Sequence, residues 1–555
     1  MSASRTVSPA AVPPAEERLL DAALQQLFAG AAAGAAALST ARRSPPWLLV
    51  AMLLLGLTVT ATLMWQAREV QRDEAQDPLR SEHGDEVRVR SRAELDALPA
   101  TTTHIRWFVV DPRELPAIER FEGLRALRLV PQEGTLFGLK TGYHRSWTDA
   151  PAGLLQPLAK RKKLEVLGLP SSLLTTQDVL GPLADHPTLH TVELTGAWPE
   201  RPKRPILPLG RLPQLRAVSL DLIPIDAATL REVAKLPLTS FELKHCRGLD
   251  ADGWQALCTM RTLQRLSFSD WSWNVQPGRK VDPPGWRPTP NDLQRLHELP
   301  ALRTLELMHC SVDAAQLEAL PDTLTSLHLF GINLGTSGLD GLRRFGALRE
   351  LKIDTRKPSN LIASVFEDDP VPEAEAFARA LATLRLRSLH YYGALVPAVA
   401  TAIGSQPDLR ELTIDSKVLA PEPLAKLLAT ARLETLRLRR TLASNRTKHQ
   451  DLSPALAGQH GLRTLELCVH RDDDLGSLAQ LPSLEHLALR FSSDAAGQAI
   501  DAAKLTPLAR CPSLREVELG LYTIQGQPPL ATEPLQNAVG PAIRLRVKSM
   551  GEVQR

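Results

Sequence analysis

Hydrophobic residues follow two different rhythms along this chain. Between residues 47 and 65 they are continuous: WLLVAMLLLGLTVTATLMW runs for nineteen residues without a charge and has Trp47 and Trp65 at its ends. At the rise of an α-helix such a run covers about 30 Å, the thickness of a bilayer core. The terminal tryptophans fall where an aromatic belt belongs. The segment starts too far into the chain for a cleaved signal peptide, and no small-residue cleavage pattern follows it. It predicts one transmembrane helix. From about residue 86 onward the apolar residues instead recur as LxxLxL, with Val, Ile, Phe or Tyr sometimes replacing Leu. Sixteen matches begin at Ile105, Leu124, Leu164, Leu189, Leu215, Leu238, Leu263, Leu302, Leu324, Leu348, Leu386, Leu409, Leu433, Leu462, Leu484 and Leu514. Most neighbouring starts lie 22 to 30 residues apart.

Each LxxLxL predicts a short strand whose alternate residues face inward. One such strand cannot bury its own apolar face, so consecutive repeats must stack into a parallel sheet. Between the strands lie helix-like stretches. Asp226 and Asp313 stand as N-caps before the apolar spacing that ends at Leu230 and Leu317, and Glu373–Leu381 is rich in strong helix formers. The whole region resembles the leucine-rich-repeat family, closest to its ribonuclease-inhibitor-like subclass. That resemblance implies an α/β solenoid, a horseshoe with the parallel sheet on the concave side and helices on the convex side. The asparagine or cysteine usual after the strand appears only as Cys246 and Cys310, so the turns must satisfy their backbone by other means. Three gaps between starts are long (124 to 164, 263 to 302, 348 to 386) and hold either a degenerate repeat or an inserted loop; Trp271, Trp273 and Trp286 lie in the middle one.

The resulting organisation is a tail (1–46), a span (47–65), a juxtamembrane linker (66–85) and a repeat domain (86–555). Within the tail, residues 16–30 place Leu20, Leu24, Leu27 and Phe28 on one helical face, a segment suited to docking on a cytoplasmic partner or on the membrane surface. Arg42 and Arg43 before the span and Arg68, Arg72 and Arg80 after it leave the positive-inside count slightly against an inside N-terminus. A lone span with a short tail and a large C-terminal domain favours that orientation nonetheless, with the repeats outside the cytoplasm.

Composition narrows the function. With 65 Lys and Arg against 62 Asp and Glu, no strongly charged partner is implied, and the excess of Ala, Arg, Leu and Pro is of the kind a GC-rich bacterial genome gives. Five cysteines at wide spacing make neither a disulfide framework nor a zinc motif, and reduced buried thiols are expected. GxSxG, HExxH and P-loop motifs do not occur, so no catalysis, cofactor or metal is expected. His186 and His190 have the wrong setting for a helical metal pair, His245-Cys246 and His309-Cys310 are at least two strands apart, and Asp472-Asp473-Asp474 reads as a helix cap.

The surfaces remain. The second repeat position carries Arg at Arg106, Arg125, Arg216, Arg303, Arg349, Arg387, Arg410, Arg463 and Arg515, and the fifth carries Glu193, Glu242, Glu306, Glu466 and Glu518. These rows are expected to pair with each other across strands, which leaves no uncompensated basic patch for nucleic acid. The central repeats differ: positions five and seven hold His328 and Phe330, Lys352 and Asp354, His390 and Tyr392. Aromatic and titratable groups mixed on one face suit a protein or peptide ligand. The expected site is His328, Phe330, Lys352, His390 and Tyr392. The expected function is a membrane-anchored interaction module; the alternative is a transmembrane regulator of anti-sigma type that relays binding to the N-terminal tail, although the zinc-binding HxxxCxxC of such regulators is absent. A reporter fused after Arg90 should remain with the membrane through carbonate extraction. Its release into the soluble fraction would contradict the span.

Overall fold

Each LxxLxL becomes a strand because its period-two half puts two apolar side chains on one face and polar ones on the other. The computed structural model describes residues 86–553, except 110–111, 132–152, 175–178, 197–207, 247, 270–287, 309–311, 331–334, 355–370, 417–418, 440–451, 457–458, 471–472, 492–499 and 525–531. The predicted span, the tail helix, the Trp271–Trp286 segment, His309, Cys310 and Asp472 lie outside the described residues. Among the described residues no helix is long and apolar enough to cross a membrane.

Two units divide after Gln214. The first carries β1 (Val87–Val89), β2 (His104–Val109), β3 (Ala126–Pro131), β4 (Val166–Pro170) and β5 (Thr191–Thr195), each parallel to the next. The second carries β6 (Ala217–Asp221), β7 (Ser240–Lys244), β8 (Arg265–Ser269), β9 (Thr304–Met308), β10 (Ser326–Phe330), β11 (Glu350–Asp354), β12 (Ser388–Tyr392), β13 (Glu411–Asp415), β14 (Thr435–Arg439), β15 (Thr464–Val469), β16 (His486–Phe491), β17 (Glu516–Ile524) and β18 (Arg544–Val553). These too pair in parallel and in sequence order. The strands flanking each long gap pair directly, Ala126 with Val166, Arg265 with Thr304 and Glu350 with Ser388, so no strand stands between them.

The register corrects one start. Ile105 pairs with Leu127, the second leucine of its repeat, so Ile105 and Trp107 occupy the two inward strand positions and Thr102 stands at the first. Arg106 therefore belongs to the fifth position, opposite Arg128, and not to the second. The inward leucines are fully buried throughout, among them Leu327, Leu351 and Leu436. Short helices between the strands close the other side of this core. Asp226 accepts from Thr229 N and Asp313 from Gln316 N, both at 2.8 Å, as N-caps do; the capping box at Asp313 is completed by Gln316 Oε1 accepting from Asp313 N, while its Nε2 donates to Pro288 O. The expected helix at Glu373–Leu381 forms over Val371–Leu381.

Backbone at the strand entrances is satisfied by the chain itself. The carbonyl at the second repeat position accepts two amides of the following repeat: Arg303 O receives Thr325 N and Ser326 N, and Arg349 O receives Arg387 N and Ser388 N. One register below, a single position three residues before the first leucine reaches back to the preceding repeat. His186 contacts Arg161 O, Gln406 donates to Leu381 O, Gln459 to Leu428 O and Cys511 to Leu478 O. These side chains tie neighbouring repeats together at the strand entrances.

Arg125, Arg303, Arg349, Arg410 and Arg463 make their contacts elsewhere than at the fifth-position glutamates. Arg303, Arg349 and Arg410 donate to backbone carbonyls at the mouth of their own strand, at Leu302, Leu348 and Leu409. Where a second-position arginine finds an acid, the acid is at the second position of the next repeat, as in Arg125–Glu165, Arg410–Glu434 and Arg463–Glu485. The reason is directional: the second position lies before the strand, along the strand axis from the fifth, and parallel stacking puts like positions side by side.

Leu436→Asp places a charge where no partner exists and should cost about 3–5 kcal/mol, the scale of an uncompensated buried charge. Arg437→Ala, at a side chain 38% exposed, should stay within about 0.5 kcal/mol. Urea midpoints measure both, and equal losses would mean the register is wrong.

Candidate functional site

Outward side chains of the sheet form three rows, at repeat positions three, five and seven. Row five runs through Glu306, His328, Lys352, His390, Thr413, Arg437 and Glu466 on β9–β15, each the direct cross-strand partner of the next. Row seven places Phe330, Asp354, Tyr392, Asp415 and Arg439 on β10–β14. The five site residues expected from the sequence thus stand on three consecutive strands.

Their environments differ from the open surface that the sequence suggested. His328 and His390 retain only 7% and 9% exposure. His328 is clamped: its Nδ1 lies 2.5 Å from Glu306 Oε1 and its Nε2 lies 3.2 Å from Glu350 Oε1 and 3.1 Å from Ser326 Oγ. Burial alone would raise the Glu306 carboxyl, but the hydrogen bond and charge of His328, with Arg265 at 2.8 Å, hold it down at about 2. The His328 hydrogen bond holds Glu350 at about 2 against its burial. His328 is therefore a structural bridge over three strands. Removing it leaves the buried Glu306 short of a partner, a cost of folding that an exposed residue would not carry.

His390 is the reverse case. Its ring stacks on Tyr392 at 4.1 Å between centroids, and its Nε2 is buried without a hydrogen-bond partner. Burial first, then the charges of Arg439, Lys352, His328 and Arg437, hold this imidazole well below the usual histidine range. Tyr392 also meets Phe330 edge-on at 5.2 Å, so the two half-buried rings close across β11 above the buried Asp354.

Elsewhere several outward cations and acids are closely paired. In the second unit Arg490 reaches Glu518 at 2.6 Å and Lys244 reaches Glu242 at 2.7 Å. In the first, Arg128 makes a two-pronged bond to Glu193, with Nε and Nη2 each 2.7 Å from a carboxylate oxygen, and reaches Glu86 at 2.5 Å. Glu193 is two strands from Arg128, and the intervening residue is Gly168, where a Cβ would come within 3.1–3.2 Å of the Arg128 side chain and backbone. The glycine is what lets the guanidinium pass.

Other candidates from the sequence take structural places. Asp474 caps a 3-10 helix by accepting from Gly476 N at 2.8 Å, while Asp473 is buried and accepts from His470 N, so only the former is the cap that was expected. His245 turns to Asp221 at 3.1 Å, and burial pushes the Cys246 thiol far up. Cys246, Cys258 and Cys511 are free thiols. Among the described residues no group of three or more His, Cys, Asp or Glu is placed to hold a metal ion. No model of a known protein family matches the chain, and no curated protein matches it.

The pH dependence of stability follows from these groups. Unfolded His390 takes up a proton near pH 6.5, whereas the folded one, facing Lys352, His328, Arg437 and Arg439 with Asp354 and Asp415 in the next row, stays neutral to well below that. Stability should therefore fall as pH drops through 6.5. Glu306 and Glu350 act lower: their contribution is complete above pH 4.5 and is lost as pH falls toward 2. Denaturant midpoints measured from pH 7 to pH 5 should decline in the native chain and decline less in His390→Gln. Identical slopes would show that His390 does not titrate in this way.

Proposed function

We propose that this chain is a membrane-anchored, non-catalytic ligand-binding protein of the leucine-rich-repeat type, and that it holds a protein or peptide on the outward face of β10–β12. The anchoring rests on residues 47–65, whose uncharged run and terminal tryptophans suit a bilayer. The repeat-type reading rests on the LxxLxL period together with the parallel, sequentially paired strands.

One observation carries the ligand reading: Phe330, Lys352, His390 and Tyr392 lie on adjacent strands and bring two aromatic rings in mutual contact beside a lysine and a histidine. Aromatic rings with polar neighbours at one central patch are the composition of an interaction hot spot. His328 contributes by holding β9, β10 and β11 in place, and it is not offered as a contact.

The test replaces the two rings and leaves the clamp intact. Phe330→Ala with Tyr392→Ala should reduce capture of the native partner from solubilised membranes at least tenfold. Cooperative unfolding should persist, with a loss of about 0.5–1.5 kcal/mol for the aromatic pair beyond the apolar area it buries. Undiminished capture by the folded variant would move the site off these strands.

A further inference from the structure

The cations of rows five and seven fall into two kinds, and the division follows from what their neighbours have already taken. Glu350 is engaged by His328 at 3.2 Å and by Ser326 at 2.9 Å, so Lys352 holds it only at 3.4 Å. Glu466 is engaged by Arg439 and by Arg490, both at 3.2 Å, so Arg437 stands off at 3.8 Å, beyond hydrogen-bond reach. Lys352 and Arg437 are thus loosely held, with 26% and 38% of their side chains exposed. Between them in the same row lie His390 and Thr413, both buried. His390 Nε2 has no hydrogen-bond partner. Two under-committed cations therefore wall a floor of polar groups.

We propose that this trough is the subsite for an acidic stretch of the bound partner, with one carboxylate at the Lys352–His390 side and a second at the Arg437–Thr413 side. The assignment rests on the ligand-binding reading above and narrows it to a peptide chemistry. Lys352 and Arg437 are three strand steps apart, roughly 14 Å at the usual strand spacing. An extended segment laid across the strands covers that distance in about four residues. The acidic groups already on the face do not fill the place: Asp354 is buried between Phe330 and Tyr392 on row seven, and Glu350 is committed to His328. Asp415 lies in row seven beside Arg439, and Glu411 opens to solvent on row three. A carboxylate entering row five gains two charge-assisted contacts without displacing an existing short ion pair.

The probe is a fluorescein-tagged, end-blocked peptide of Ala, Ser and Gly with two Asp residues four positions apart, set against its Asn counterpart and read by anisotropy with the full chain. The Asp peptide should bind at least tenfold more tightly than the Asn peptide. Lys352→Met and Arg437→Met should each weaken it fivefold or more. Arg125→Met, at a second-position arginine outside the rows, should leave it unchanged, and Arg437→Lys should retain most of the affinity. Circular dichroism melts on each variant separate loss of binding from loss of fold. Equal binding of the two peptides, binding of neither, or full binding by the folded Lys352→Met/Arg437→Met variant overturns the acidic assignment. Should the Phe330/Tyr392 variant still lose its captured partner in that event, the site stands and only its acidic chemistry falls.

Discussion

A single backbone carbonyl in most of the described repeats, at the position after the first leucine, accepts two amide protons from the repeat that follows. This shared acceptor fixes neighbouring strands to one register, because a slip of one residue would both break the pair and turn every leucine out of the core. Everything that gives the sheet its character depends on it. Only under an unbroken register do residues at like repeat positions become direct neighbours. The outward face then acquires rows whose members come from segments twenty to forty positions apart in sequence.

Within those rows, charge is settled locally. A carboxylate has a limited number of good acceptor directions, and whichever cation takes them first in space leaves the next one loose. The His328 clamp and the Arg439–Arg490 grip on Glu466 are two cases of this, and each creates an under-committed cation beside it. His390 belongs to neither arrangement. Surrounded by positive charge and packed on Tyr392, it is kept neutral by its position and not by a partner.

The repeat was readable in the chain because leucine at three fixed places is both the core and the signal. Every start but Ile105 was placed in register. Ile105 failed because Trp107 fills the inward position that leucine takes elsewhere and Thr102 stands at the first, so the apolar spacing appears three residues late. The strand Arg544–Val553 went unrecognised for a similar reason: Ala542 occupies the place of the first leucine. The central five residues were legible as a group, since a row needs only register and no stray strand in the gaps. Their burial was not. Whether a histidine is open, clamped or stranded depends on carboxylates one and two strands away, and no local pattern in the sequence records which cation has claimed them.

Arg128 has a consequence for how the first unit opens. Linear arrays of repeats ordinarily lose structure from the end inward, one turn at a time, because each turn touches only its neighbours. Here one guanidinium, passing over Gly168, grips Glu193 while also holding Glu86 at the entrance to the three-residue β1. The first described strand is thereby tied, through one side chain, to the fifth. Release of that one side chain would free Glu86 and Glu193 together.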